Sequence, residues 1–227
     1  MCNFAPLSYL VMRSIVNIES YFRDRVRELK SLAERGDPWV FLCASSFIEY
    51  LAKIRLGRET TQTDYKNFLN DCFFKLCPKY ASFRYDSGQS DLAEQMYHVL
   101  RCGIVHSFSL IPDPNTRKRH GGRDRSILLA HRRSGLQHLQ NYVDNDSEPK
   151  LDAAIFIAED FVEDIAKVTE FILVEATRTT NSGRDLKSKI QNWVRTYPPI
   201  AGLKETKPPD AADRQSNNFG FTPTPSG

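Results

Sequence analysis

Three residues carry the chemistry this chain could do. Arg101 and His106 stand five positions apart in the apolar stretch "LRCGIVHSF" (100–108), and Glu49 sits in "FLCASSFIEYLAKI" (41–54). Arginine offers a planar fork of donors that matches a phosphate or a carboxylate. Histidine moves a proton near neutral pH. A carboxylate on an apolar helix needs a partner, because acids are almost never buried alone. Arg101 and His106, the polar members of another apolar segment, are the natural candidates. A Glu–Arg–His cluster of this kind either braces two helices or serves a phosphodiester, and the residue types alone leave both open. Spacing adds a constraint. On a regular α-helix five residues give an offset of ~140° and a rise of ~7.5 Å. Arg101 and His106 then share a face only if the helix ends or distorts between them. Gly103 weakens the helix at that point, and Pro112 shows that it ends soon after.

The elements that must position these residues read as helices. Ile15, Ile18, Phe22, Val26, Leu29 and Ala33 recur at spacings of three and four, which predicts a helix over residues 7–35. "RGDP" stops it, Asp37 caps the next, and Pro38 takes the first position. That second helix, 38–56, is apolar nearly all round and therefore central. Gly57 closes it. A third helix is expected over 62–76, ended by Pro78, and a fourth over 90–108, with Leu92, Met96, Val99, Leu100, Gly103 and Ile104 as its buried stripe. "SILLAH" and "LQHLQNYV" flank "RRSG" and predict a short hairpin. The last long helix is expected over 151–177, followed by a shorter one over 184–196. From Lys204 the chain is rich in Pro, Asn, Ser and Gly, which predicts disorder. The resulting expectation is an all-α fold. Residues 1–200 form one domain of four to five core helices, with a small β-hairpin and basic-loop insertion at 112–145. A disordered tail occupies 201–227.

Composition narrows the classes. A chain of 227 residues that is 41% hydrophobic can bury a sizeable core. Net charge is only +3, so any affinity for nucleic acid must come from a local patch. One exists: between 113 and 133 seven Lys or Arg face two Asp. Arg117, Lys118, Arg119, Arg123 and Arg125 are its candidate contacts to an RNA backbone, and a solvated loop is the plain alternative. The five cysteines are odd in number and show no framework spacing, which points to a reducing compartment. Cys72 and Cys77 have no second pair to complete a zinc site. His120, His131 and His138 lack metal-ligand spacing and read as surface or hairpin residues. His98 reads as a helix-face residue, and Tyr97 as a core or interface tyrosine with a ring that could also stack on a base. No phosphate-binding P-loop, dinucleotide fingerprint or nucleophile elbow is present. With no signal-peptide pattern and no long apolar run, the expectation is a soluble cytoplasmic protein with no membrane partner.

"MYHVLRCGIVHSF" (96–108) resembles the signature helix of the HEPN superfamily, whose motif is Arg, a spacer of four to six residues, then His. "FLCASSFIEYLAKI" is similar to the preceding helix of that family, which often carries an acid facing the motif. Arg101 and His106 match the motif's two ends, and Glu49 matches the upstream acid. The resemblance covers roughly residues 7–110, with the helix near 151–177 completing the bundle. It implies a four- or five-helix bundle, usually a homodimer, with two motifs meeting in a cleft between protomers. It further implies a metal-independent endoribonuclease that needs no cofactor. In such enzymes the RNA 2′-hydroxyl attacks the neighbouring phosphate, leaving a 2′,3′-cyclic phosphate and a 5′-hydroxyl. His106 would be the general base or acid, Arg101 would stabilise charge on the phosphoryl oxygens, and Glu49 would orient one or both. Many members are toxins or phage-defence effectors, which brings in an antitoxin or other protein partner. Others bind RNA or a protein without catalysis. The residue after the arginine is commonly Asn or Asp in active members, and here it is Cys102. A helical scaffold with no nucleic-acid role is the third reading.

Overall fold

The computed structural model describes residues 18–86, 88, 92–107, 124–146 and 150–196, with the backbone alone at 104–107, 124 and 195. The expected N-terminal extension 7–17, most of the basic loop and the tail 201–227 lie outside the described residues. In chain order, α1 spans Ile18–Arg35 and α2 spans Trp39–Leu56. Segment α3 begins at Gln62–Phe68, widens into a π-turn at Leu69–Phe73 and ends at Phe74–Leu76. A short α4 (Pro78–Ser82) follows. Segment α5 starts at Leu92–Gln95 and continues as a π-helix over Met96–Ser107. Strands β1 (Asp124–Ala130), β2 (Asn141–Asp144) and β3 (Leu151–Ile157) precede α6 (Ala158–Thr177) and α7 (Asn181–Thr196).

The fold is mainly helical, but it carries a three-stranded sheet in the order β1-β3-β2. The expected hairpin between "SILLAH" and "LQHLQNYV" does not form. β1 pairs with β3 in parallel, and β2 pairs with β3 antiparallel. The predicted helix over 151–177 is also corrected, because its first seven residues are β3. "LDAAIFI" is a continuous apolar run, which periodicity cannot tell from a buried helix. As the central strand it is buried from Asp152 to Ile157, as a strand covered on both faces requires. The third helix closes at Leu76 as expected, and Pro78 follows that stop and opens α4, where its missing N–H costs no hydrogen bond.

Helix α2 is the spine. Val40, Phe41, Ala44, Ile48, Leu51, Ala52 and Ile54 are all buried, and α1, α6, α7 and the π-helix pack around it. Asp37 Oδ1 accepts the Trp39 N–H at 3.0 Å. At the other end Gly57 adopts φ +75°, donates to the Lys53 carbonyl at 2.8 Å and lets the Lys189 side chain of α7 cross close to its Cα. Cys43 stands apart from these buried residues. It is exposed on α2 and lines a groove of about 450 Å³ with Tyr21, Leu32, Phe47 and Tyr50. An aromatic seam ties the sheet to the helices: Phe161 of α6 meets Phe156 of β3 at 5.1 Å and Phe73 of α3 at 6.4 Å, and Tyr80 of α4 meets Phe73 at 5.1 Å. β1 backs onto α5 and its π-helix, so the sheet supports the segment that carries Arg101.

Candidate functional site

Glu49 projects from the middle of α2 toward the π-helix and meets Arg101. Arg101 Nη2 lies 3.1 Å from Glu49 Oε1, and Nε lies 3.2 Å from Oε2. This is the side-on, two-bond pairing that only a guanidinium can make with a carboxylate. Lys53, one turn along α2, adds a contact to Oε1 at 3.3 Å and reaches Glu59 at 2.9 Å. Burial pushes the Glu49 carboxyl up, but the Arg101 hydrogen bonds and the charges of Arg101 and Lys53 outweigh it and hold Glu49 below its ordinary value. The Glu49 hydrogen bond pushes Arg101 above its own ordinary value. The pair is therefore fully ionised at neutral pH. It is not sealed, since the Arg101 side chain keeps 25% of its surface. Its guanidinium lies over the Tyr97 ring at 5.7 Å, with Nη1 3.9 Å from Cys102 Sγ. Tyr65, buried beneath, meets Tyr97 edge-on at 5.6 Å and fixes that ring.

The backbone answers the spacing question. Over Met96–Ser107 the helix has π hydrogen bonding, in which each N–H reaches back five residues. Positions five apart are then slightly more than one turn apart. Arg101 and His106, ~140° apart on an α-helix, are stacked on one face of this one. For His106 only the backbone is described, so that placement concerns the position. Such π segments are rare and concentrate at functional sites.

A second cluster adjoins the first, and sequence reasoning missed it. His98 Nε2 lies 2.8 Å from Glu94 Oε1, Lys66 Nζ lies 2.6 Å from Glu94 Oε2, and Gln62 Nε2 lies 3.2 Å from Oε1. Burial raises the Glu94 carboxyl, but the Lys66 and His98 hydrogen bonds more than reverse it, so Glu94 sits below its ordinary value. The available signal was the Glu94–His98 spacing of four, which places the two on one helical face. Gln62 and Lys66 belong to α3, and only tertiary packing brings them in. Together the two clusters form a belt of Lys53, Lys66 and Arg101 against Glu49, Glu59 and Glu94. It carries no net charge before any proton on His98 is counted.

The remaining candidates separate. Arg117, Lys118, Arg119, Arg123 and His120 lie outside the described residues. Arg125 is a correction. It is not on the basic loop but in β1, 1% exposed, with its guanidinium 5.8 Å over the Tyr85 ring. The sheet register sets it beside Asp152, which is itself fully buried, so an RNA backbone has no access to it. Arg132 donates to Asp160 at 2.7 Å and Glu163 at 2.8 Å, closing the N-terminal turn of α6. His138, read as a surface or hairpin residue, has an imidazole only 4% exposed. The Ile157 N–H donates to its Nδ1 at 2.9 Å, its Nε2 lies 2.9 Å from Tyr80 Oη, and Tyr80 donates to Asp164 Oδ2 at 3.0 Å. Lys79 and Lys167 neutralise Asp164 at 2.9 and 3.0 Å. Burial, then the Lys79 charge, push His138 down to about 4. Its 3.8 Å approach to Asp164 is therefore a neutral contact at physiological pH. Among the described residues no group of three or more His, Cys, Asp and Glu could hold a metal ion, and no helix is long and apolar enough to cross a membrane.

Comparison of the chain with protein-family models, with curated proteins and with solved structures finds no match.

Proposed function

We propose that this protein is a metal-independent endoribonuclease of the HEPN type, with Arg101, His106 and Glu49 as its working residues. The observation that carries the reading is the π-helix, which sets positions 101 and 106 on one face. On an ordinary helix the R-x4-H spacing would divide the two groups. Glu49 holds the guanidinium by two bonds at the surface of the bundle, which fixes a charged fork where a phosphoryl group would develop charge. The RNA 2′-oxygen attacks the adjacent phosphorus, the bond to the 5′-oxygen breaks, and a 2′,3′-cyclic phosphate and a 5′-hydroxyl remain. Because the belt around Arg101 is charge-balanced, long-range attraction for RNA falls to the basic run that includes Arg117, Lys118, Arg119 and Arg123. A homodimer that brings two such faces together is the assembly in this reading, and a neutralising antitoxin is the protein partner a toxin would need.

A second reading has its own support. Arg101 is engaged by Glu49 and turned toward Cys102, where active relatives of the proposed family commonly carry Asn or Asp. This favours a non-catalytic module that binds RNA or a protein. The test is cleavage of mixed cellular RNA by purified protein in EDTA, with Arg101→Ala and His106→Ala in parallel and all three shown to be folded. Cleavage by the wild type alone, with cyclic-phosphate ends, supports the nuclease. RNA binding without cleavage, unchanged by His106→Ala, supports the module.

A further inference from the structure

We propose that His98, held by Glu94, is the general base of the cleavage reaction. The proposal rests on the nuclease reading and assigns a residue that the R-x4-H motif does not contain. Glu94 is ionised, so it can only accept hydrogen bonds. Its 2.8 Å contact with His98 Nε2 therefore places the ring proton on Nε2 and leaves the lone pair of the neutral ring on Nδ1. Lys66 at 2.6 Å from the other carboxylate oxygen and Gln62 at 3.2 Å from Oε1 keep Glu94 from turning away. A carboxylate that fixes an imidazole's tautomer and then stabilises the imidazolium is the arrangement that makes histidine a base in hydrolytic triads. The imidazole keeps 20% of its surface.

Placement connects this dyad to Arg101. His98 meets the Tyr97 ring edge-on at 5.2 Å, and the Arg101 guanidinium lies over the same ring at 5.7 Å. One aromatic ring, itself fixed by Tyr65, thus spaces the proton-moving group from the charge-stabilising one. The charged groups beside the dyad are Lys66 of α3, 2.6 Å from Glu94, and Arg101 across the shared Tyr97 ring.

In the reaction, His98 Nδ1 takes the 2′-hydroxyl proton as the O2′–P bond forms. The P–O5′ bond breaks, and the departing oxygen takes a proton from a second group. One imidazole cannot give and take in the same step, so His106 supplies that proton as imidazolium. Proton exchange with water restores both rings.

The experiment is the pH–rate profile of RNA cleavage in EDTA for wild type, His98→Gln, Glu94→Gln and His106→Gln, each checked by thermal melting. Glutamine at 98 keeps an N–H donor for Glu94 but has no titratable base. The wild type is expected to give a bell. His98→Gln is expected to lose 10²-fold or more at the optimum, within the usual range for general base catalysis, together with the acidic limb. Glu94→Gln should move the acidic limb, and His106→Gln should remove the basic one. A His98→Gln rate within threefold of wild type with both limbs kept overturns this proposal alone, provided His106→Gln still cleaves far more slowly than the wild type. Absence of cleavage by the wild type overturns it together with the nuclease reading.

Discussion

His138 offers the clearest test of how this fold uses a buried polar group. The Ile157 N–H donates to Nδ1, so the neutral ring carries its proton on Nε2 and passes a hydrogen bond to Tyr80 and on to Asp164. A second ring proton would have to displace the Ile157 donor, in a site 4% exposed where two lysines already satisfy Asp164. The ring therefore titrates near 4 in the folded chain, against an ordinary 6.5. Between those values the unfolded chain binds the extra proton and the folded chain does not, so stability falls as pH drops. The loss attributable to this ring is about 2 kcal/mol by pH 5 and about 3 kcal/mol by pH 4, relative to pH 7. Asp164 does not confuse the window, because burial raises it but Lys79 and Lys167 hold it below its ordinary 3.8, so its contribution is lost only at lower pH. Urea unfolding from pH 7.5 to 4 of wild type and His138→Gln checks this. Glutamine offers an acceptor and a donor but no titration. The stability difference between the two proteins should shrink by about 3 kcal/mol toward pH 4. A difference that stays flat with pH would refute the reasoning.

Other expectations concern single contacts. Glu49→Ala leaves the Arg101 charge half-buried and should cost about 2 kcal/mol, while Glu49→Leu with Arg101→Leu recovers most of it; urea midpoints of the single and double variants decide. Arg125→Ala empties a fully buried side-chain site against the Tyr85 ring and should destabilise by roughly 2–5 kcal/mol. At a temperature where the variant remains folded, its RNA affinity and salt slope should match the wild type, whereas Arg117→Ala with Arg119→Ala should lower both. Gly57→Ala forces a side chain onto φ +75° and a Cβ to within 2.8 Å of Lys189; a loss of more than about 1 kcal/mol in thermal unfolding is expected.

The helical elements were legible because their signals are local. The apolar periodicity and the stops at Gly36–Pro38 and Gly57 set the C-terminal end of α1 and both ends of α2 to within a residue or two. The demand of a lone acid for a cation foretold Glu49–Arg101. The sheet was not legible in the same way. "LDAAIFI" has no period that separates a strand from a helix, and its pairing with β1 in parallel and β2 antiparallel is a non-local choice that buries it on both faces. Arg125 looked like one more charge in a basic run until that pairing turned it inward beside Asp152. His138 and His98 were ambiguous for the same reason. Their surroundings are assembled from distant segments: Tyr80 of α4 and the Ile157 N–H of β3 hold His138, and Lys66 and Gln62 of α3 hold the Glu94 that lies four residues before His98. What the sequence by itself determined is the set of amphipathic helices and the residue types capable of chemistry, because hydrophobic spacing and side-chain charge are properties of short segments. What only the tertiary structure decided is which of those residues meet, and the π-helical turn that sets positions 101 and 106 on one face, because both depend on packing between segments distant in the chain.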